Sequence, residues 1–428
     1  YQDGMFGQGA DKVTGVAGTV YMYDGGQKSR EEYYDAEGKL TLRSDLGCAV
    51  QQFEYDDSGN KCAEYYYGTD RQPVLRLDMG YAAVKYQNDE EGKRNDVRFY
   101  GLDGLLTVSE KNHCAGINYE YDEKENRVTI KYIGTDGGLM VRGDLGYAKI
   151  ELTYDSYGNV KKGTFWDENE EPILNQDVGY FMFDNTYIGR LWTGTSYYDY
   201  FGRPVLRKDT GYAQIHNEYN DVDGRLQSQS FYDVDGEPVV SKKYGCARMK
   251  FTYDGFGNLT ETRYYDANDR LACRSDLGYA MRRSEYDGFG QCVYNYYYGE
   301  DGSLSANTAY GCAGFMYQYD NNQVKISYIG SDGSSMMRHD LGYAEVVLEY
   351  DNMGNVIRES YFDQNGEPTV GTQEGYAVCE SRYDGANCIE KRFLDTQGKV
   401  TFGRDVGYAI VRYQYDDQGR CVAEQYYD

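Results

Sequence analysis

Hydrophobic and polar residues alternate along short segments of this chain, and each such segment ends in a turn. In residues 148–154, alanine, isoleucine, leucine and tyrosine occupy alternate positions and are separated by lysine, glutamate and threonine. This period of two predicts a strand with one buried face. Asp155 begins the next turn and Gly158 stands three residues later, which is typical of a short hairpin loop. A second strand then runs to the aromatic pair Phe165 and Trp166.

The same pattern recurs with a period of about 33 residues through the whole chain. A Gly-Tyr-Ala or Gly-Cys-Ala triplet marks most of the repeats. Eight residues after the start of this marker, tyrosine followed by Asp or Asn occurs in eleven of thirteen repeats. A fixed period of this kind indicates units that bury their apolar faces by stacking on their neighbours. The markers start at Gly15, Gly47, Gly80, His113, Gly146, Gly179, Gly211, Gly245, Gly278, Gly311, Gly342, Gly375 and Gly407.

We therefore predict an all-β fold, an elongated β-solenoid or spiral of stacked β-hairpins. A second glycine-bearing turn follows each aromatic pair, and the segment after it, such as residues 238–240, is predicted to be a short third strand. Alanine stands two residues after the marker start in twelve repeats, which predicts a crowded inner corner. The tyrosine six residues further on predicts a ladder of packed rings whose hydroxyls find partners.

The thirteen repeats form one continuous array over residues 1–428, so we predict a single array rather than several domains. The chain begins and ends at the same phase of the repeat and shows no polar capping unit. Because repeat arrays need such caps for solubility, the sequence predicts a segment of a longer array.

The charge of the chain excludes several classes of partner. Aspartate and glutamate number 70 against 44 lysines and arginines, which gives a net charge of −26. A chain this acidic is not expected to bind nucleic-acid backbones or anionic membranes. No apolar run approaches the roughly 20 residues that a membrane-spanning helix needs.

The turn motifs resemble those of bacterial tyrosine-rich repeat proteins. Residues 350–355 read Tyr-Asp-Asn-Met-Gly-Asn, and residues 361–366 add an aromatic pair followed by Asp-Gln-Asn-Gly. This combination is similar to the YD repeats of Rhs-type wall-associated and secreted toxin proteins. Residues 33–38 more distantly resemble the choline- and glucan-binding repeats of Gram-positive surface proteins. The resemblance implies a bacterial β-repeat protein that is secreted or attached to the cell surface.

The sixth repeat, about residues 179–210, departs from the common pattern. It lacks the alanine and the Tyr-Asp step, and it contains one of only two tryptophans in the chain. Aromatic side chains beside carboxylates suit stacking on sugar rings or anchoring a protein partner. The alternative is a repacked, irregular repeat without a ligand. The candidate binding residues are Trp166, Phe181, Phe183, Tyr187, Trp192, Tyr197 and Tyr198.

Cysteine occupies the tyrosine position of the marker in four repeats, and no two of these repeats are consecutive. We expect most of the ten cysteines to be small buried apolar residues. Cys388 and Cys421 are 33 residues apart and form the one candidate disulfide.

Two Asp-x-Asp-Gly runs are weak candidates for calcium loops, because alternate carboxylates can converge on one ion. The alternative is that both runs are ordinary turns of the repeat, since neither has a closing glutamate. The candidate ligands are Asp221, Asp223, Asp233 and Asp235.

The sequence favours a non-enzymatic function without a cofactor. The three histidines lie at different phases of the repeat, and no P-loop, Rossmann glycine run or Ser-His-Asp arrangement is present. We predict an extracellular or cell-surface adhesin or stalk that binds glycan or protein through aromatic-rich faces. The alternative is a structural shell or fibre subunit, an Rhs-like casing or a filament, which self-associates or closes on cargo.

Overall fold

The computed structural model of this chain describes Asp11 and residues 13–428. All of its regular elements in this part of the chain are strands, and no helix there is long and apolar enough to cross a membrane. The predicted all-β class and the predicted antiparallel hairpins are confirmed. The first residues, on which the prediction of a longer array partly rests, lie outside the described part.

The strands of the described residues follow one another as thirteen hairpins. They are β1 (Gly18–Asp24), β2 (Gln27–Tyr34), β3 (Val50–Tyr55), β4 (Lys61–Tyr67), β5 (Ala83–Asn88), β6 (Arg94–Tyr100), β7 (Gly116–Tyr121), β8 (Arg127–Ile133), β9 (Lys149–Tyr154), β10 (Val160–Trp166), β11 (Met182–Ile188), β12 (Leu191–Tyr198), β13 (Gln214–Tyr219), β14 (Leu226–Tyr232), β15 (Arg248–Tyr253), β16 (Leu259–Tyr265), β17 (Met281–Tyr286), β18 (Cys292–Tyr298), β19 (Gly314–Asp320), β20 (Gln323–Ile329), β21 (Glu345–Tyr350), β22 (Val356–Phe362), β23 (Val378–Asp384), β24 (Asn387–Leu394), β25 (Ile410–Tyr415) and β26 (Cys421–Tyr427).

The chain divides into two compact units. The first contains the described residues up to Gly116 together with Tyr317–Ser327 and Ser335–Asp428. The second contains Ile117–Met316 and Tyr328–Ser334. The sequence repeat runs through both units, and the prediction that the chain behaves as one array stays a prediction.

Each hairpin is paired over its full length, whereas neighbouring hairpins are paired over only a few residues. In the hairpin of β9 and β10, Ile150 faces Phe165 and the pairing runs from Lys149 to Tyr154. Between β10 and β11, only Lys162 to Thr164 have partners. The aromatic ends of the strands therefore diverge from the next hairpin. The space is filled by the connecting segments, which run from the second strand of one repeat to the first strand of the next.

In the first unit the last strand pairs with the first. Val20 of β1 faces Ala423 of β26. Arg420 crosses the same junction, because its guanidinium lies 4.1 Å from the ring centre of Tyr23 and donates to the carbonyl of Gly26 at 3.4 Å. The strands of this unit thus run in one paired series from β20 to β26 and on from β1 to β6. The prediction of an elongated β-solenoid is wrong here, since this pairing satisfies strand edges that an open solenoid leaves exposed.

The core of each unit is a row of aromatic rings, which we call the ring row. In this row a marker tyrosine alternates with the first member of the aromatic pair that ends the second strand of a repeat. Such pairs contribute about 0.5–1.5 kcal/mol beyond the burial of their area. In the second unit the ring-centre distances are 4.6 Å for Tyr147–Phe165, 5.5 Å for Phe165–Tyr180, 4.7 Å for Tyr180–Tyr197, 6.2 Å for Tyr197–Tyr212 and 4.9 Å for Tyr212–Phe231.

Marker cysteines lie in the core, as the sequence predicts. In the repeat with Cys246, the ring of Tyr244 stacks on Phe231 at 5.2 Å and extends the ring row in place of the missing marker tyrosine. Burial raises the pKa of the Cys246 and Cys48 thiols to about 12, so both thiols stay protonated at neutral pH. The four fully buried marker cysteines are Cys48, Cys114, Cys246 and Cys312.

The predicted crowded corner and the predicted tyrosine ladder are both present. Ala148 is fully buried, and its N–H donates to the carbonyl of Trp166 at 2.8 Å. The hydroxyl of Tyr154 donates to the carbonyl of Arg127, 27 residues earlier, at 2.7 Å. In the third repeat Asn88 replaces the ladder tyrosine, and its side-chain amide lies 3.4 Å from the equivalent carbonyl, that of Lys61. The carbonyl of Ala148 also accepts from the N–H of Tyr132 in the preceding hairpin at 2.9 Å, so this hairpin is bonded to the preceding one at both ends.

The predicted third strand is wrong. Tyr232 makes a single bridge to Pro238, and the N–H of Val239 donates to the carbonyl of Phe231 at 3.0 Å. The chain then leaves the strand, because the N–H of Lys242 donates to the carbonyl of Thr210 in the previous connecting segment at 2.8 Å. Successive connecting segments thus bond to each other rather than adding a strand to the sheet.

Candidate functional site

The sixth repeat is irregular in sequence but forms a regular hairpin. Strands β11 and β12 are joined by the two residues Gly189 and Arg190, and the hairpin of β23 and β24 has a turn of the same length. Tyr187 stands at the ladder position, and its hydroxyl donates to the carbonyl of Val160 at 2.9 Å. The interpretation that this repeat loses its Tyr-Asp step is therefore correct for the aspartate but not for the structural role of the tyrosine.

The two tryptophans lie on opposite faces of the sheet. Trp166 follows Phe165, whose ring belongs to the ring row, so Trp166 points to the other face. The indole N–H of Trp192 donates at 3.0 Å to the hydroxyl of Thr195. Thr195 stands two residues before Tyr197 of the ring row, which places Trp192 on the ring-row face. One surface containing both tryptophans is therefore not formed.

The other candidate aromatic residues divide between the same two faces. Phe181 packs edge-on against Trp166 at 5.8 Å. Phe183 of β11 pairs with Gly163 of β10, and a Cβ atom at Gly163 would lie 2.3 Å from the Phe183 ring. Tyr197 is buried in the ring row, and its neighbour Tyr198 points away from that row. These side chains pack against the protein itself, and ligand binding by them stays a prediction.

Replacing Trp166 and Trp192 together by alanine is expected to lower the stability of the protein. Both rings are half-buried and both indole N–H groups donate to threonine hydroxyls, Trp166 to Thr164 at 3.2 Å. We expect a loss of about 2–4 kcal/mol in the free energy of unfolding, less than full burial of two rings would give. Urea denaturation measures it. The control is Tyr157→Ala, whose side chain is exposed in a turn and whose loss should leave stability unchanged.

The candidate calcium loops are turns of the repeat. One carboxylate oxygen of Asp233 accepts from the N–H groups of Asp235 and Glu237, each at 2.9 Å. Asp223 accepts from the N–H of Arg225 at 3.0 Å and forms an ion pair with its guanidinium, and Asp221 lies exposed in the same turn. Within the described residues, no three His, Cys, Asp or Glu side chains are close enough to hold a metal ion. Calcium binding at these turns stays a prediction.

The candidate disulfide does not fit the strand order. Cys388 lies on β24 and Cys421 on β26, with β25 between them. Two strand spacings are about 9.6 Å, whereas the Cα atoms of a disulfide lie within about 7 Å. Both cysteines are free thiols, and their Sγ atoms lie 3.7 Å and 3.6 Å from the carbonyl oxygens of Glu390 and Ala423. The expectation failed because each repeat contributes two strands to the sheet, not one.

The connecting segments carry a recurring apolar residue that our reading of the sequence did not identify. We call the set of these residues the connecting stripe. In the sequence, the residue five positions before the marker is apolar in all thirteen repeats, and in the described connecting segments this residue is not part of a strand. This recurrence of an apolar residue outside a strand was the signal from which the stripe could have been predicted. Scattered apolar residues are normal on a surface, but contiguous apolar patches mark contact sites. The stripe residues with exposed side chains include Leu42, Leu75, Val108, Leu174, Leu206, Val240, Val370 and Phe402.

No family model and no curated protein matches this chain. Among solved structures, it is similar to chains in "Crystal Structure of TcdB2-TccC3-TEV" and "Crystal Structure of TcdB2-TccC3-Cdc42", with 12% and 13% identity and a TM-score of 0.29 for each. A Tc holotoxin pore structure from Photorhabdus luminescens gives 13% identity and the same TM-score. Each match covers 95% of this chain and 18% of the other, so the chain spans less than a fifth of their length.

Proposed function

We propose that this chain is a non-enzymatic structural repeat, a wall segment of a shell rather than a stalk. The observation that carries the proposal is the pairing of β26 with β1, which joins the first and last repeats within one unit. A stalk must be elongated, so its first and last repeats lie far apart. A wall is instead more stable against aggregation when no strand edge is exposed. The resemblance to Rhs-type YD repeats supports the same function, and a secreted or cell-surface location goes with it.

The repeated contacts support a structural function over a catalytic one. The same contacts recur from hairpin to hairpin. They are the ring row, the buried alanine, the bond of the ladder tyrosine and the bonds between connecting segments. The marker thiols of Cys48 and Cys246 have pKa values raised by burial to about 12, so they are not nucleophiles at neutral pH. In a wall, the connecting stripe is the apolar line at which further protein makes contact.

An adhesin that binds glycan or protein is the second candidate. Tyr200 and Phe201 favour it, because their rings are exposed in a turn at a centre-to-centre distance of 4.4 Å and the guanidinium of Arg203 lies 4.9 Å from Phe201. Exposed aromatic residues of this kind can stack on sugar rings. A glycan array comparing the unaltered protein with the variant Tyr200→Ala, Phe201→Ala tests this candidate. Binding that the variant loses would favour it over the wall.

Resonance energy transfer between labels at Asp24 and Asp417 tests the wall proposal. Both residues are exposed on either side of the β1–β26 junction, Asp24 at the end of β1 and Asp417 in the turn between β25 and β26. Non-natural amino acids carry the dyes because the chain has ten cysteines. We expect efficient transfer. In an elongated array, twelve hairpin steps of about 9.6 Å each would separate the labels by about 115 Å and abolish it.

The matched control is a label pair at Asp24 and Asp57, which lie at the turn ends of adjacent hairpins and should give efficient transfer in either arrangement. Mixing singly labelled molecules detects transfer between chains. Absent transfer for Asp24 with Asp417, together with efficient transfer in the control, would contradict the wall. Transfer only between molecules would instead indicate a fibre.

A further inference from the structure

Two hairpin turns of unequal length lie side by side in the second unit. The turn between β11 and β12 has two residues, and the turn between β13 and β14 has six, residues 220–225. The other turns within the described hairpins have two or five residues, so this neighbouring pair has the largest difference in length. Because β12 pairs with β13, the short turn leaves open space beside the long one.

That space is a cavity of about 480 Å³, within the range of small-molecule sites, about 300–1,000 Å³. Ile188 and Leu191, which flank the short turn, form its apolar side. His216, Glu218 and Asp221 line the polar side. A site with one apolar wall and a few convergent polar groups is the usual form of a small-ligand pocket.

The polar groups deeper in the cavity are satisfied by the protein. The side-chain N–H of Asn217 donates to the carbonyl of Trp192 at 3.0 Å, and its oxygen accepts from Gln229 at 2.8 Å. The hydroxyl of Tyr219 donates to the same Trp192 carbonyl at 2.8 Å. These bonds leave the two rim carboxylates and the imidazole of His216 as the groups available to a ligand.

Neither rim carboxylate has a cationic partner among the described residues. Glu218 accepts from the hydroxyl of Ser228 at 2.6 Å and keeps a second oxygen for another donor. Asp221 is exposed at the start of the long turn. Two negative charges opposite an apolar wall match a ligand with an ammonium group at one end and methylene groups behind it.

We propose that this cavity binds a small alkylammonium ligand. Glu218 and Asp221 accept hydrogen bonds from the ammonium group, and Ile188 and Leu191 contact the alkyl chain. The site is independent of the wall function, since a wall segment folds with or without a ligand in it.

The chain contains a matched position that has the carboxylates without the apolar pair. Glu54 and Asp57 occupy the equivalent places in the second hairpin, also beside a two-residue turn. There the apolar pair is replaced by Asp24 and Gln27, and the Gln27 side chain closes the gap by donating to the carbonyl of Gly59 at 2.7 Å. A general attraction of amines to this acidic protein would act at both places, whereas the apolar contact with the alkyl chain is available only beside Ile188 and Leu191.

Isothermal titration with pentylammonium at about 0.15 M salt, where long-range attraction is screened, tests the proposal. We expect saturable binding with a dissociation constant on the order of 1 mM, as suits so small a ligand. The variant Glu218→Gln, Asp221→Asn should bind at least tenfold more weakly. The variant Glu54→Gln, Asp57→Asn should bind like the unaltered protein. Circular dichroism verifies that all three are folded.

Three results would overturn the proposal. They are the absence of saturable binding by the unaltered protein, equal weakening of binding in the two double variants, and binding of the neutral analogue 1-pentanol as tight as that of pentylammonium. Leu191→Ser separates the apolar contact from the charge, because it keeps both carboxylates. This variant should weaken pentylammonium binding several-fold. Unchanged binding would show that Leu191 does not contact the alkyl chain.

Discussion

Phe231→Ala is expected to cost about 3–5 kcal/mol in the free energy of unfolding, as large truncations in a packed core do. The Phe231 side chain is fully buried. Its ring stacks between Tyr212 at 4.9 Å and Tyr244 at 5.2 Å, with interplanar angles of 26° and 10°. Alanine would leave a cavity in the ring row and remove both stacked contacts. Equilibrium urea denaturation, followed by far-ultraviolet circular dichroism, measures the loss.

Phe289→Ala is the matched control. Phe289 has the same side chain in the same unit, but it is 92% exposed in the turn between β17 and β18. Its removal should change stability by no more than about 0.5 kcal/mol. Equal losses in the two variants would mean that the ring row does not hold the second unit together.

Gly375→Ala is expected to destabilise the first unit by about 2–5 kcal/mol. This marker glycine has a φ of +78°, and a Cβ atom there would lie 2.5 Å from Cβ and 2.8 Å from the backbone N of Arg404. An alanine in the left-handed region costs about 1–2 kcal/mol, and overpacking against backbone adds about 1–3 kcal/mol. The displaced backbone carries the bond from the Arg404 N–H to the carbonyl of Glu374 at 2.7 Å. Faster hydrogen exchange at Arg404 would locate the damage.

Gly366→Ala separates backbone strain from crowding. Gly366 lies nine residues earlier with a φ of +82°, and nothing lies within 4 Å of the position of its Cβ. It should show only the strain, about 1–2 kcal/mol. His113, which stands at a marker position with a φ of 52°, shows that this conformation by itself is tolerated. If both variants lost the same stability, the bonded connecting segments would not be a tight contact.

Local features of this protein were predictable because they depend on neighbouring residues. Alternation in residues 148–154 corresponds to strand β9, and the spacing of Asp155 and Gly158 corresponds to the turn that follows. The recurrence of alanine after the marker correctly predicts burial, since Ala148 is fully buried where its N–H bonds to the end of the paired strand β10. The sequence predicted that the hydroxyls of the ladder tyrosines would have hydrogen-bond partners. It did not indicate which carbonyl each hydroxyl would bond to.

The candidate binding site could not be predicted in the same way. Trp166 and Trp192 are close in sequence, but strand alternation and the bulge between Thr186 and Tyr187 place them on opposite faces. Cys388 and Cys421 have the spacing of one repeat, but one repeat spans two strands. The cavity beside Asp221 arises from the lengths of two adjacent turns, and neither turn indicates it alone.

The sequence by itself determined the strands, the turns and the period, because alternation, turn residues and repeat length act over a few residues or are copied from unit to unit. The tertiary structure alone decided which strands end up side by side. The contact of Val20 with Ala423 joins residues about 400 positions apart. A repeat with the same local pattern can stack into an open or a joined series, and the small rotation accumulated over many hairpins decides between them.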